Sequence, residues 1–274
     1  MLAFASNSIL CRLALVEGSI DAASFTSIRL LSGAVMLLVI VVIVSRRKAV
    51  RPTGTPSKRG SWISAAMLFL YAICFSFAYG WLTASTGALI LFGTVQLTML
   101  LVGVREGDRP SAVSWIGFAI AAGGLIYLLS PGLEAPPPLG AALMAIAGVA
   151  WGIYSLRGRG AGDPLRLTAD NFALSVPMTL VASAIFISTL DVTSEGTLLA
   201  ATSGAITSGL GYVIWYAVLP KLGATRAAVV QLSGPVLTAF GGVMLLSETI
   251  TARLVIATVA ILGGIALALK FHRS

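Results

Sequence analysis

The chain has 274 residues, of which 57% are apolar and only 10% are charged, and its mean hydropathy is +0.96. A soluble domain carries about a quarter charged residues, so this composition excludes a soluble enzyme, a nucleic-acid-binding protein and a disordered scaffold. The net charge is +8, and in a membrane protein the placement of such basic residues marks the loops that stay in the cytoplasm.

Ten apolar runs follow one another along the chain. Each has about 20 residues, the length that crosses the hydrocarbon core of a bilayer as a helix. Helices are required because lipid offers no partner for free backbone N–H and C=O groups. We therefore predict an all-α membrane protein with spans near 1–16, 22–45, 61–80, 85–104, 111–130, 138–156, 166–190, 196–219, 224–246 and 251–270. The first run has no basic start, so we expect a span rather than a cleaved signal peptide.

The loops between these runs differ in charge from one side of the membrane to the other. When the loops are assigned alternately, most of the 18 Lys and Arg residues fall on one side. The opposite side carries mainly acidic residues, which are Glu17, Asp21, Glu134, Asp191, Glu195 and Glu248. Because basic loops remain in the cytoplasm, this distribution predicts that both termini are cytoplasmic.

The second half of the chain repeats features of the first half. Residues 84–112 align with residues 224–252 without a gap. This alignment and its extensions pair Leu97-Thr98 with Leu237-Thr238, Asp108 with Glu248, Gly123-Gly124 with Gly263-Gly264, Asp21 with Asp163, and Thr26 with Thr168. Each half then holds five spans, an odd number, so the second half enters the membrane from the opposite face. We predict two inverted five-helix repeats, 1–132 and 133–274, around a central cavity, as in secondary transporters.

Two stretches resemble the EamA-type branch of the drug/metabolite transporter superfamily. Residues 232–267, LSGPVLTAFGGVMLLSETITARLVIATVAILGGIAL, show a helix with a mid-span proline, an acidic residue just after it and a Gly-Gly helix. Residues 25–38, FTSIRLLSGAVMLL, resemble the family's second helix with its early arginine. The first half departs from the pattern at Val95, where the second half has Pro235.

The resemblance covers essentially the whole chain, and it implies a multi-pass protein of the bacterial inner membrane. Members of this family export small metabolites, often amino acids, and aromatic amino acid exporters are among them. The family resemblance further implies a central cavity lined by the first, third, fourth, sixth, eighth and ninth helices.

Aromatic residues occur at helical spacing in the third, sixth and eighth runs, where they share a helix face. They are Tyr71, Phe75 and Tyr79, then Trp151 and Tyr154, and then Tyr212, Trp215 and Tyr216. A phenol or an indole N–H inside a span needs a polar partner or water, so we predict a wet cavity that binds a small amphipathic solute. The alternative is ordinary helix packing together with the Trp and Tyr belt at the membrane surface.

Three uncharged amides, on Asn7, Gln96 and Gln231, also lie within predicted spans. They could bind the carboxylate or amine of a solute, or they could join helices by hydrogen bonds worth about 0.6 kcal/mol each. Pro235 closely follows Gln231, and because a proline removes one backbone hydrogen bond, it predicts a hinge beside a free carbonyl group.

Two arginines, Arg12 and Arg29, lie within spans. A charged residue at the bilayer centre costs about 2.5–3.5 kcal/mol on insertion scales. Each arginine is therefore either a gating or anion-attracting group, or the partner of an acidic residue, with Glu17, Asp21 and Glu248 as candidates.

Together these features predict a secondary transporter that exports small metabolites, amino acids above all, by alternating access. A membrane channel or facilitative pore is the alternative. Asp170 lies near the end of its run and gives little support for proton coupling. We expect no enzyme, cofactor or metal site, because Cys11, Cys74 and His272 form no catalytic or ligand cluster in the sequence. The expected partners are the small-molecule substrate and the lipid bilayer, without nucleic acid, and we expect a monomer.

Overall fold

The structure is a computed structural model that describes residues 1–47, 59–107, 109–132, 134–159, 161–215 and 230–270. The first five helices are α1 (Leu2–Val16), α2 (Ala22–Arg47), α3 (Trp62–Tyr79), α4 (Ala84–Arg105) and α5 (Ala112–Leu129). They are followed by α6 (Pro138–Arg157), α7 (Pro164–Ile185), α8 (Ser194–Trp215), α9 (Ser233–Leu246) and α10 (Ala252–Lys270). Within the described ranges the regular elements are helical, and one antiparallel bridge joins Ile20 to Val192.

Seven of the described helices are long and apolar enough to cross a membrane, namely α2, α3, α4, α5, α6, α8 and α10. Helices α1 and α9 are apolar but shorter, with 15 and 14 residues. Helix α7 has 22 residues, among them Arg166, Asp170 and Pro177. The prediction of ten spans is therefore confirmed for seven, and the predicted spans at 196–219 and 224–246 extend into residues outside the described part.

Hydroxyl and carboxylate side chains begin most of the helices, because the first N–H groups of a helix have no partner inside it. The hydroxyl oxygens of Ser61, Thr83, Ser111, Thr193 and Thr251 each accept a hydrogen bond from the backbone N–H three residues later. Asp21 accepts from the N–H of Ser24 at 2.9 Å, and Asp163 accepts from that of Arg166 at 3.1 Å. The paired residues Asp21 and Asp163 thus begin α2 and α7 in the same way.

The helices pack in pairs that link the two halves of the chain. Helix α2 packs on α7, α4 on α9, and α5 on α10. Other large contacts are equivalent if α1–α5 correspond in order to α6–α10. The contact of α3 with α6 then corresponds to that of α8 with α1, and the contact of α4 with α6 corresponds to that of α9 with α1. Residue contacts give α2 and α7 opposite directions, because Ser27 lies beside Ser183 and Gly33, further along α2, lies beside Phe172.

Small residues bring α5 and α10 into backbone contact, as membrane helix pairs require when they approach closely. A Cβ atom added to Gly117 would lie 2.5 Å from the carbonyl oxygen of Gly264, and one added to Gly264 would lie 2.5 Å from that of Gly117. Gly123 and Gly263 instead have nothing within 4 Å of such an atom. The two Gly-Gly pairs are therefore alike. Gly124 and Gly264 lie against the partner helix, whereas Gly123 and Gly263 face open space.

We predict that Gly117→Ala lowers the thermal unfolding midpoint of the purified protein in detergent. The added methyl group meets backbone rather than a movable side chain, and such overpacking costs about 1–3 kcal/mol. Gly123→Ala, in the same helix, is the matched control and should leave the midpoint unchanged or slightly raised. Equal midpoints for the two variants would contradict the close packing of α5 on α10.

Candidate functional site

Arg29 of α2 is buried inside the bundle, with 2% of the residue exposed. Its Nη2 donates a hydrogen bond of 3.0 Å to the hydroxyl of Tyr71, and its Nε donates one of 3.4 Å to Ser208 Oγ. The guanidinium carbon lies 5.0 Å from the ring centre of Phe75 and 5.2 Å from that of Tyr71. A desolvated cation–π contact of this kind contributes about 2 kcal/mol, so hydroxyls and ring faces replace water around the charge.

Asn7 of α1 extends this polar group across the bundle. Its Nδ2 donates to the hydroxyl of Tyr71 at 3.4 Å, and its Oδ1 accepts a short hydrogen bond from the hydroxyl of Ser203. Asn7 is also buried, with 4% exposed. We call Asn7, Arg29, Tyr71, Ser203 and Ser208 the polar core, and its members come from α1, α2, α3 and α8.

Aromatic rings from both halves pack beside the polar core. Trp151 of α6 lies at the centre, with its ring 5.4 Å from that of Tyr212 at an interplanar angle of 16°, and 4.8 Å from that of Tyr71. We call the surrounding rings the aromatic wall, which consists of Phe4, Phe75, Trp151, Tyr154, Tyr212 and Trp215. Trp151 and Trp215 are half-buried, so the wall keeps accessible ring surface.

The local sequence of α8 explains how α2 comes so close. Residues Ser203–Leu210 form a π-helical segment, and they carry small residues at most positions. Gly204 faces α2, where a Cβ atom would clash with the carbonyl oxygen of Arg29. Wide π turns inside α-helices frequently occur at functional sites, and this one brings Ser203 and Ser208 to the polar core.

Arg12 lies outside the polar core and contacts an acidic residue of the second half. Its Nη1 donates to the carbonyl oxygen of Tyr79 at 2.7 Å, and its Nε lies 4.0 Å from Glu248 Oε1. Glu248 also accepts from the backbone N–H of Ala84 at 2.6 Å and from the hydroxyl of Ser85 at 3.0 Å. A carboxylate at a helix N-terminus is favourable, and we call this group of five residues the Glu248 clamp.

Arg12 lies within ion-pair distance of Glu248, one of the candidate acidic partners, and Arg29 has different neighbours. Among the described residues, no carboxylate lies within ion-pair distance of Arg29, so the pairing with Glu17, Asp21 or Glu248 is absent there. The ring faces and hydroxyls found instead leave the anion-attracting alternative open for this residue.

Other predicted site residues lie away from the polar core. The amides of Gln96 and Gln231 bond to each other, since Gln96 Nε2 donates to Gln231 Oε1 at 3.4 Å. Tyr79 is fully buried, with its hydroxyl 3.4 Å from the carbonyl oxygen of Ala84, and its ring contacts Phe75 of the aromatic wall. Pro235 is the third residue of α9, just after a turn at Leu232 interrupts the helix.

Two more sequence predictions concern residues near the helix ends. Asp170 accepts a hydrogen bond from the backbone N–H of Gly60 at 3.2 Å, which places it at the start of α3 and outside the polar core. Tyr216 lies outside the described residues. In the described part of the chain, no group of three or more His, Cys, Asp or Glu side chains is placed to hold a metal ion.

Sequence reasoning missed Phe4, Ser203 and Ser208. The two serines lie in a stretch of small residues, SGAITSGL, which is typical of helix packing and gives no separate signal of polar contacts. Phe4 had a detectable signal, because it lies on α1 at a spacing from Asn7 that puts both on one helix face.

We predict that Arg12→Gln and Glu248→Gln each lower the thermal unfolding midpoint, and that the double variant loses less than the sum. The two side chains share contacts, so a coupling of about 1 kcal/mol is expected. The control pairs Glu248→Gln with Arg253→Gln, where no contact is shared and the effects should add. Additive effects for Arg12 and Glu248 would contradict the Glu248 clamp.

Comparison with known proteins gives one family match and two relatives. Residues 138–270 match the EamA-like transporter family. An uncharacterised protein of Pseudomonas aeruginosa, PA1977, is 50% identical over 269 residues, which are 98% of this chain and 91% of that protein. The uncharacterised transporter YoaV of Bacillus subtilis is 22% identical over 251 residues, which are 88% of this chain and 85% of that protein.

The fold also matches a protein of known crystal structure. The match covers 100% of this chain and 98% of the other, with a TM-score of 0.65 and 18% sequence identity. From these relationships, and from its apolar helices, the chain belongs to the EamA-like transporter family of the drug/metabolite transporter superfamily and is a multi-pass membrane transporter of small solutes.

Proposed function

We propose that the protein is a secondary carrier that exports small metabolites, amino acids above all, by alternating access through a central cavity. One observation carries the proposal, which is that both halves of the chain contribute to one site. Arg29, Tyr71 and Asn7 come from the first half, whereas Ser203 and Trp151 come from the second. A substrate site at the interface of two repeats is the arrangement of secondary transporters.

The helix pairing supports the proposed inverted repeats, 1–132 and 133–274. Each of α2, α4 and α5 packs on the helix at the same place in the other half, and the contacts of α6 with α3 and α4 have counterparts in those of α1 with α8 and α9. A pseudo-twofold axis between the halves produces this pattern. The equivalent helix starts at Asp21 and Asp163, and at Ser111 and Thr251, agree with it.

The chemistry of the site favours a small solute with both apolar and polar parts. The stacked rings of Trp151 and Tyr212 offer flat apolar surface, and the polar core next to them offers amide, hydroxyl and guanidinium groups. Binding sites combine mostly apolar walls with a few polar groups that fix orientation. An amino acid fits both parts.

We further propose that the protein lies in the bacterial inner membrane as a monomer with both termini in the cytoplasm. The basic loops support this orientation. The loop before α2 and the loop before α8, both expected on the opposite side, pair through Ile20 and Val192, and the N–H of Asp21 donates to the carbonyl oxygen of Asp191 at 2.9 Å. Two loops that pair in this way lie on the same side of the membrane.

Uptake and counterflow of labelled amino acids in proteoliposomes test the carrier directly. We predict that Trp151→Ala or Trp215→Ala reduces the transport rate about tenfold or more, because removal of a ring from a stacked wall costs about 0.5–1.5 kcal/mol beyond its buried area. Trp115→Ala is the matched control, since Trp115 lies on α5 with 47% exposed and away from the wall. Unchanged rates in both wall variants would remove the aromatic site.

Alternating access is tested by locking α4 to α9. A Cβ atom added to Gly242 would lie 3.2 Å from Ser85 Oγ and 2.5 Å from Glu248 Oε2. Once the Glu248 side chain moves aside, Ser85→Cys with Gly242→Cys places two sulfurs within reach of a disulfide. We predict that oxidation of this double variant, in a Cys11→Ser, Cys74→Ser background, stops transport and that reduction restores it. If the oxidised protein transports as fast as the chemically reduced protein, the result would favour a channel that needs no movement between these helices. The single cysteine variants are the controls.

A further inference from the structure

Arg29 has more hydrogen-bond donors than its neighbours accept. An arginine has five N–H groups, and in the described part of the chain Nε donates to Ser208 and Nη2 to Tyr71. Nη1 is buried and has no hydrogen-bond partner among those residues. A buried charged group that lacks a hydrogen bond bears the full desolvation cost of that group, so an acceptor at Nη1 would be strongly bound.

Tyr71 offers a second free donor beside the first. Its oxygen accepts hydrogen bonds from Arg29 and from Asn7. A hydroxyl has two acceptor positions and one O–H donor, so these contacts use both acceptor positions, and the Tyr71 O–H donates to no residue in the described part of the chain. Two donors from neighbouring helices, α2 and α3, therefore remain for one ligand.

We propose that Arg29, through Nη1 and together with the hydroxyl of Tyr71, binds the carboxylate of the transported solute. The carrier is then selective for solutes with one carboxylate and an apolar remainder, and it does not require an amino group. The inference rests on the proposed function, because its ligand is the solute that the carrier moves.

The charge of the site selects a single negative charge. Arg12 lies opposite Glu248, and among the described residues no acidic side chain contacts the polar core. Arg29 thus supplies one uncompensated positive charge in a low-dielectric interior. A carboxylate neutralises it and matches the planar guanidinium with two oxygens, whereas a dianionic phosphate would leave a buried negative charge without a partner.

The aromatic wall receives the rest of the solute. The guanidinium of Arg29 lies over the ring faces of Phe75 and Tyr71, and the ring of Tyr71 also contacts Trp151. A side chain attached to a carboxylate at Arg29 therefore meets ring surface next. Among the described residues no carboxylate contacts the polar core to pair with an ammonium group, so the proposed recognition rests on the carboxylate of the solute.

The test uses wild-type protein and matched sets of three probes. Each set contains an amino acid, the acid that lacks its amine and the amine that lacks its carboxylate, made for phenylalanine, leucine and threonine. Binding is measured as the ligand-induced rise in the unfolding midpoint in detergent, and transport as uptake into proteoliposomes. We expect binding and uptake for the amino acid and the acid of at least one set, and none for the amine.

The outcomes separate this inference from the proposed function. Equal or tighter binding of the amine overturns the role of Arg29 and leaves the carrier standing. Stabilisation of the same size by sodium chloride or sodium phosphate alone overturns it as well, because the bound anion is then inorganic. If no probe and no member of a broad amino acid panel is bound or transported, the proposed function falls, and this inference falls with it.

Variants of the arginine give a second line of evidence. Arg29→Gln removes the charge, and we expect it to weaken binding of the acid at least about tenfold. Arg29→Lys keeps the charge without the planar fork and should lose part of the affinity. The matched control is Arg253→Gln. Arg253 of α10 also has a buried Nη1 without a hydrogen-bond partner among the described residues, and it lies over the ring of Tyr127 of α5. Wild-type affinity in Arg29→Gln overturns the inference, and if that variant does not fold, the wild-type probes decide.

Discussion

The positive charge of Arg29 inside an apolar helix bundle is the constraint on which the site depends. Buried charge is stable only where protein groups take the place of water. The hydroxyls of Tyr71 and Ser208 and the face of Phe75 do this, so α2, α3 and α8 must meet at one depth. The aromatic wall follows from the same requirement, because its rings pack on the residues that surround the guanidinium.

Polar contacts join the halves of the chain at several places, among them the polar core and the Glu248 clamp. In lipid, apolar burial provides little force between helices, and close packing and hydrogen bonds decide their association. Glu248 reaches the start of α4 and the side chain of Arg12 from beyond the end of α9. A junction of a few hydrogen bonds can break and re-form without disruption of the helices, which is the property that the proposed alternating access requires.

Much of the fold follows from the sequence, because lipid dictates both helical structure and span length. The positions of Trp151 and Tyr212 in one aromatic group, and the pairing of Arg12 with Glu248, were also within reach of spacing and charge. The serine partners of Arg29 and Asn7 were not, since Ser208 and Ser203 look like packing residues until the path of α8 is known. The sequence likewise left two roles open for Gln96 and Gln231, solute binding and hydrogen bonding between helices. The structure places their amides 3.4 Å apart.

The π-helical segment Ser203–Leu210 has a consequence for the rings that follow it. A π turn closes its hydrogen bond one residue later than an α turn, and one residue corresponds to about 100° of rotation around a helix. Tyr212 and Trp215 therefore point elsewhere than a continuous α-helix would direct them. Conversion of this segment to regular α-helix, with Ser194–Thr202 in place, would rotate both rings away from Trp151, so the stacked pair of Trp151 and Tyr212 depends on the π-helical segment.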